Sequence, residues 1–430
     1  MIRELGIFER AQLISNHYAT FHIVGVLRIN SSLPSQALQR SLTELQKRHP
    51  FLSAHIADEN GRPSFTSLSD PKLPLRILPR LDDDYWIQVT ESELENRIDA
   101  QAGPLFRCVY LHDESHQHGE IILTLSHSIA DAASAGQLLH ELMTICASLS
   151  DDASVSLPKL SPAPPLESRF PHGFSGWRLN VRILAYAFTQ MVDEISYRIR
   201  TIGKRTPPFH GKSARGHILP VQFPSDLVEP FAQRARKEGV TLNSALNAAL
   251  LLAVNHHLYN GEKLPMRTFS FADLRPHVEP PLPPENLGLY ISMMRYTVDV
   301  DGDGDFWSLA RRLHKKTYAS LKSGDKFIAS AMSESLMTML VKMDSVRLCA
   351  SALNYNGVVP VQPSYGQLKV LEIHGFVSPH PFGPEMASQA QLFNDQLVWD
   401  FAYLEEDMDQ EKAKAIVDEI KKIILSVIAN

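Results

Sequence analysis

Cysteine is scarce in this chain. Cys108, Cys146 and Cys349 are the only three in 430 residues, too few and too scattered for a disulfide framework or a cysteine-built zinc site. The scarcity points to a reducing, cytoplasmic setting. Long apolar runs are missing as well: no window offers the ~18 uninterrupted apolar residues of a membrane-crossing helix. Residues 1–10 carry Arg3, Glu4, Glu9 and Arg10 through any would-be apolar stretch, unlike a secretory signal. Positive charge is not in excess, and a formal net charge of −6 removes the global footprint of a nucleic-acid binder. A Gly-x-Ser-x-Gly nucleophile elbow is also lacking, because in residues 173–177 Trp177 stands where the last glycine belongs. Together with cysteines that have no ordered histidine partner, this argues against a covalent intermediate on serine or cysteine.

What is present is ordinary globular material. Hydrophobic residues at 44% and charged residues at 21% exclude a disordered chain or a coiled coil. A chain of 430 residues outgrows a single core and should divide in two. The natural division is residues 151–171, rich in Ser, Pro and Asp, where Pro158, Pro162, Pro164 and Pro165 break any regular element. We therefore expect lobes at 1–172 and 173–430. Both read as α/β. The first half has strand patterns at 21–29, 108–111 and 121–125 and a helix at 33–47; the second has helices at 226–237 and 241–259 and strands at 266–272, 290–298 and 396–403. An amphipathic helix capped by Asp409, with Ile416, Ile420, Ile423 and Val427 inward, closes the chain.

Residues 119–131 are the most informative stretch. Ile121, Leu123 and Leu125 alternate as a half-buried strand does, and Leu138, Leu139, Leu142, Ile145 and Leu149 then recur at helical spacing. His127 thus falls at a strand's end, free of the ladder and able to face a cleft, and Asp131 falls where a carboxylate caps a helix. The plain alternative for this pair is a turn histidine and a simple cap.

Ordered blocks elsewhere add weight: Gly103-Pro-Leu-Phe-Arg107, residues 48–55, residues 238–246, Asp273-Leu-Arg275, and residues 286–292. In that order they resemble the superfamily of chloramphenicol acetyltransferase, plant alcohol acyltransferases and peptide-synthetase condensation domains. Among these the likeness is greatest to the polyketide-associated acyltransferases, which include the transferase that esterifies phthiocerol diols. The resemblance spans nearly the whole chain. The family motif His-His-x-x-x-Asp-Gly falls on residues 126–132, with the second His at His127 and the Asp at Asp131; Ser126 and Ala132 replace the first His and the Gly.

The resemblance implies two α/β sandwich lobes meeting in a V, with a substrate channel between them and His127 at its centre. It implies a reaction too, in which an acyl group, fatty or polyketide-derived, passes from a coenzyme A or acyl-carrier-protein thioester to an alcohol. His127 would be the catalytic general base. A neutral imidazole takes the hydroxyl proton as the oxygen attacks and returns it to the leaving thiol. Asp131 would point away from substrate and brace the loop through an arginine, for which Arg275 is the local candidate; a surface ion pair between Asp273 and Arg275 is the alternative. Asn286 and Ser292 are candidate contacts to the oxyanion or acceptor. No permanent cofactor or metal is implied. Amide formation by a free-standing condensation domain uses the same His, and a catalytically silent module that docks carrier proteins or a polyketide synthase is a further reading. The two halves of one chain supply the cleft, so a monomer is expected.

Three features remain. Apolar residues from Trp177 to Ile202 form one face of a long helix, read first as a core face and second as a channel wall or an edge touching lipid. Arg178, Arg182, Arg198, Arg200, Lys204, Arg205, Lys212 and Arg215 cluster in and after it, a patch that suits phosphates or an acidic carrier. Asp299, Asp301, Asp303 and Gly304 open like a calcium loop, but Ala310 occupies its twelfth position, so a tight turn is expected. His112, His116 and His118 read as a hairpin loop.

Overall fold

In a computed structural model, the structure describes residues 1–31, 33–71, 73–113, 117–150, 157–204, 215–343 and 346–429. His116, Arg205, Lys212 and the first part of the expected linker lie outside these residues.

Two six-stranded sheets organise the chain. The first runs Ser364–Tyr365, Leu368–Val377, His22–Ile29, Gly119–Ser126, Phe106–His112, Leu75–Pro79. It is antiparallel except at its far edge, where Leu75–Pro79 runs parallel to Phe106–His112. Its central strands explain themselves by period two. Ile23, Leu27 and Ile29, with Ile121, Leu123 and Leu125, face the core of their own lobe. Val24, Val26, Val109 and Ile122 point the other way and meet Ala387 and Ala402 of the second sheet. That sheet runs Ile291–Val300, Leu264–Asp273, Cys349–Val358, Pro384–Phe393, Gln396–Leu404, Gly216–Phe223.

Helices cover each sheet. In the first lobe Ser35–Arg48 lies against Ala132–Ser150, so that Leu38, Leu42 and Leu45 share a core with Leu138, Leu139 and Leu142. In the second, Leu242–Leu258, capped by the Thr241 hydroxyl, is buried along almost its full length between Phe306–Ser323 and Gln410–Ala429. Ile416, Ile420, Ile423 and Val427 face inward there.

One strand crosses over. Leu368–Val377 follows the Pro-rich division by nearly two hundred positions, which chain order assigns to the lobe at 173–430, yet its backbone pairs with His22–Ile29 from Val370 opposite Ile29 to Val377 opposite Ile23. The sheet of the first lobe is therefore completed by a strand from the second half of the chain, whereas the second sheet is built from residues 216–404 alone.

A second difference concerns the helix Gly176–Arg200. The expectation of a core face is overturned: Trp177, Leu184, Phe188 and Ile199 are more than half exposed, and no residue of the helix is buried. The acidic run at 299–304 is a turn. Gly304 donates to the Asp301 carbonyl at 3.0 Å, while Asp299 pairs with Arg200 and Asp301 with Lys263. His112 and His118 sit at the ends of the connection between two antiparallel strands.

Candidate active site

The strand Gly119–Ser126 ends beside the helix Ala132–Ser150, and residues 127–131 form the turn between them. His127 Nδ1 donates to the Ala130 carbonyl at 3.0 Å. That bond fixes the tautomer, because a neutral imidazole donating through Nδ1 carries its lone pair on Nε2. Nε2 has no partner among the described residues. The ring stacks on Phe21, with centroids 4.8 Å apart. Burial pushes the His127 pKa below its ordinary value, and the Asp131 charge and the backbone carbonyl only partly offset it. His127 is therefore a neutral acceptor at working pH.

Asp131 does not touch that lone pair. It is 2% exposed and is held from three sides. Arg275 meets it with a bidentate fork, Nη1 to Oδ2 at 2.9 Å and Nη2 to Oδ1 at 3.0 Å; the Ser134 N–H caps Oδ1 at 2.8 Å and the Tyr290 N–H donates to Oδ2 at 2.9 Å. Burial by itself would raise this carboxyl, but the Arg275 charge and the four hydrogen bonds outweigh it and hold the pKa below the usual carboxylate range. Arg275 also donates to the Ser134 hydroxyl at 2.7 Å, the Gly288 carbonyl at 3.2 Å and Asp273 at 3.1 Å. One guanidinium thus ties the motif turn of the first half to residues 273–290 of the second. Ala132 stands where the resemblance has glycine, and its φ is not positive, so the backbone accepts a side chain there.

Asn286 and Ser292 are placed differently. The Ser292 hydroxyl is fully buried and donates to the Lys326 carbonyl at 2.8 Å, and Asn286 offers its backbone carbonyl to Arg275 at 3.4 Å. Neither lines the cavity that His127 enters.

That cavity, about 510 Å³, lies between the lobes. Phe21, Gly25 and Ala135 line it from the first lobe; Phe269, Phe271 and Ala387 line it from the second. A larger space of about 810 Å³, bounded by Glu91, His217 and Lys414, lies on the far side of His374, which borders both.

Two cavity histidines escaped the sequence reading. His380 packs edge-on against Phe21, the ring that His127 stacks on, with centroids 5.3 Å apart. Both its ring nitrogens are engaged, Nε2 with Ser15 and Nδ1 with the Phe382 N–H, and burial pushes its pKa down to about 4. It is a neutral wall, whereas His127 has a nitrogen to spare. His374 contacts Asp400 through Nδ1 at 2.8 Å and Glu372 through Nε2 at 3.3 Å. Burial alone would strip its proton, but the two carboxylates outweigh it and push the pKa up to about 9. Neither histidine lies in a recognisable block; the nearest signal is the Pro- and Gly-punctuated run 378–384.

Two family models match the chain, one in each half. The model for the Condensation domain matches residues 10–164, and that for the Phthiocerol/phthiodiolone dimycocerosyl transferase C-terminus matches residues 221–401. The chain belongs to the superfamily of condensation domains and polyketide-associated acyltransferases. Among curated relatives of this acyltransferase family member are Malpinin synthetase from Mortierella alpina, 23% identical over 71% of the chain, and phosphinothricin tripeptide synthetase PhsB from Streptomyces viridochromogenes, 25% identical over 70%. The chain spans only a small part of these relatives, 4% and 25% of their lengths. The fold is shared with polyketide synthase associated protein 5 from Mycobacterium tuberculosis, at TM-score 0.73 and 16% identity over 100% of this chain and 98% of that one. It is shared also with a trichothecene 15-O-acetyltransferase from Fusarium sporotrichioides, at TM-score 0.77 and 13% identity over 99% and 95%.

Proposed function

We propose that this acyltransferase moves a fatty or polyketide-derived acyl group from a coenzyme A or carrier-protein thioester to an alcohol, with His127 as general base. The observation that carries the reading is the unpartnered Nε2 of a neutral His127 at the edge of an apolar cavity. The acceptor O–H donates to Nε2, its oxygen attacks the thioester carbonyl, and the proton passes to the imidazole. Nδ1–H stays on the Ala130 carbonyl, which steadies the imidazolium. Collapse of the tetrahedral intermediate breaks the C–S bond, and the departing sulfur takes the proton back. Asp131 and Arg275 act on this sequence as positioning residues, by fixing the turn that aims the ring.

The apolar walls supplied by Phe269, Phe271, Met293 and Phe382 suit a hydrocarbon chain. The match of residues 221–401 to the C-terminus of a phthiocerol/phthiodiolone dimycocerosyl transferase supports an alcohol as acceptor. Matches to peptide synthetases support a second reading, amide formation with an amine acceptor at the same His127.

The two separate in one assay. Thiol release from acyl-coenzyme A and acyl-phosphopantetheine donors is followed with a panel of alcohols and amines. Alcohol-dependent release that disappears in His127→Ala supports the ester reading; a preference for amines promotes the second. Equal inertness of wild type and variant across the panel sinks both and leaves a binding module.

A further inference from the structure

The helix Gly176–Arg200 is amphipathic in the wrong sense for a core element. Its polar face points inward. Asp193 accepts from Thr297 at 2.8 Å and from Arg267 at 3.2 Å, Glu194 pairs with Arg267 at 2.8 Å, Gln190 accepts from Arg295 at 3.3 Å, and Tyr197 lies under the Arg267 guanidinium at 3.8 Å. Its apolar face points outward. Trp177, Leu184, Phe188, Met191, Ile195 and Ile199, spaced by sevens, fours and threes along one side, are between 52% and 72% exposed. At 25 residues the helix presents a stripe about 37 Å long.

Charge identifies what covers it. The chain as a whole carries −6, but this helix has four arginines and two acids, and both acids are turned onto Arg267. Arg178 and Arg182, exposed beside the first turns of the stripe, have no carboxylate partner among the described residues; Arg182 lies instead over the Phe174 ring at 4.6 Å. Arg198 and Arg200 stand exposed at the other end, each with a single acidic neighbour. An apolar face led by Trp, Leu and Phe and flanked by arginine is the pattern of a helix that lies in the plane of a lipid interface. No described helix is long and apolar enough to cross a membrane, so the contact is in-plane.

We propose that Gly176–Arg200 docks the protein on an anionic lipid bilayer, with the apolar stripe entering the acyl boundary and the arginines meeting the headgroup phosphates. This inference is independent of the acyl-transfer reading, since it rests on a surface away from His127. The helix lies between the two stretches matched by the family models.

Sedimentation with vesicles tests it. Wild type should pellet with phosphatidylcholine vesicles containing phosphatidylglycerol, at least several-fold less with phosphatidylcholine alone, and progressively less as salt is raised. Emission from Trp177, isolated by comparison with Trp177→Phe, should shift to the blue on binding. The pair Leu184→Glu, Phe188→Glu should cut the bound fraction about tenfold with an unchanged thermal midpoint, since both residues face solvent. Arg178→Glu, Arg182→Glu provides a second variant, which should lose only the preference for anionic vesicles. Wild type that stays in the supernatant with every vesicle overturns the proposal. So does a lipid-free dimer that the Leu184→Glu, Phe188→Glu pair dissolves, because a second copy then covers the stripe.

Discussion

At the scale of single residues, two histidines packed against one phenylalanine show how hydrogen bonds distinguish like side chains. His127 and His380 both have pKa values lowered by burial, yet only His127 keeps a ring nitrogen without a partner. Arg275 has a different duty. Removing it by Arg275→Ala leaves Asp131 buried with two backbone N–H groups and no counter-charge. We expect a loss of about 3–5 kcal/mol in denaturant unfolding. Arg275→Lys should recover little of this, because an ammonium cannot reproduce the two parallel contacts to Asp131 or reach Ser134 and Gly288 as well. An Arg275→Ala protein as stable as wild type would remove the bracing role.

At the scale of elements, the crossing strand Leu368–Val377 makes the lobes interdependent. Residues 1–172 expressed alone would expose the unpaired edge of His22–Ile29, seven of whose eight residues are buried in the full chain. An open apolar edge recruits other chains. The fragment should aggregate, and adding residues 173–430 by co-expression should restore a soluble complex; a monomeric, soluble 1–172 would contradict the pairing. The same strand marks the limit of what the sequence could say. Alternation at Ile121, Leu123 and Leu125 tells which faces are apolar, and helical spacing after Asp131 tells where the motif turn sits, so the strand-turn-helix around His127 was legible from local pattern. Which strand lies beside which was not, because partners hundreds of residues apart leave no mark in a local period. The helix Gly176–Arg200 failed for a related reason. Periodicity announces an apolar stripe but not whether protein covers it, and here Arg267 and Arg295 claim the polar side instead. Arg275 was found through its ordered block, whereas His374 and His380 acquire meaning only from partners such as Asp400 and Ser15.

At the scale of the whole molecule, the lobes are joined by a buried charge as well as by apolar contact. His374 on Leu368–Val377 reaches Asp400 on Gln396–Leu404, so the pair bridges the two sheets, with Trp86 stacked on the imidazole at 4.8 Å. Its folded pKa of about 9 lies above the ordinary 6.5, so its contribution to stability is complete below about pH 6.5 and is lost as pH rises through 9. Thermal midpoints should therefore fall between pH 7 and 9.5 in wild type. His374→Gln should start lower and fall less over that range. Identical pH profiles for the two proteins would show that the pair does not hold the lobes together.

The proposed acyl transfer turns on the base. The measurement that tests it most directly is the pH dependence of acyl-thioester thiol release with saturating acceptor, in wild type and in His127→Ala. In wild type the rate should be level near neutral pH and fall on acidification with a single inflection below 6.5, as His127 gains its proton. His127→Ala should run slower by a factor on the order of 10²–10⁴, with no such inflection and an unchanged thermal midpoint. A variant that keeps the wild-type rate, or keeps the inflection, would contradict the assignment of His127 as the base.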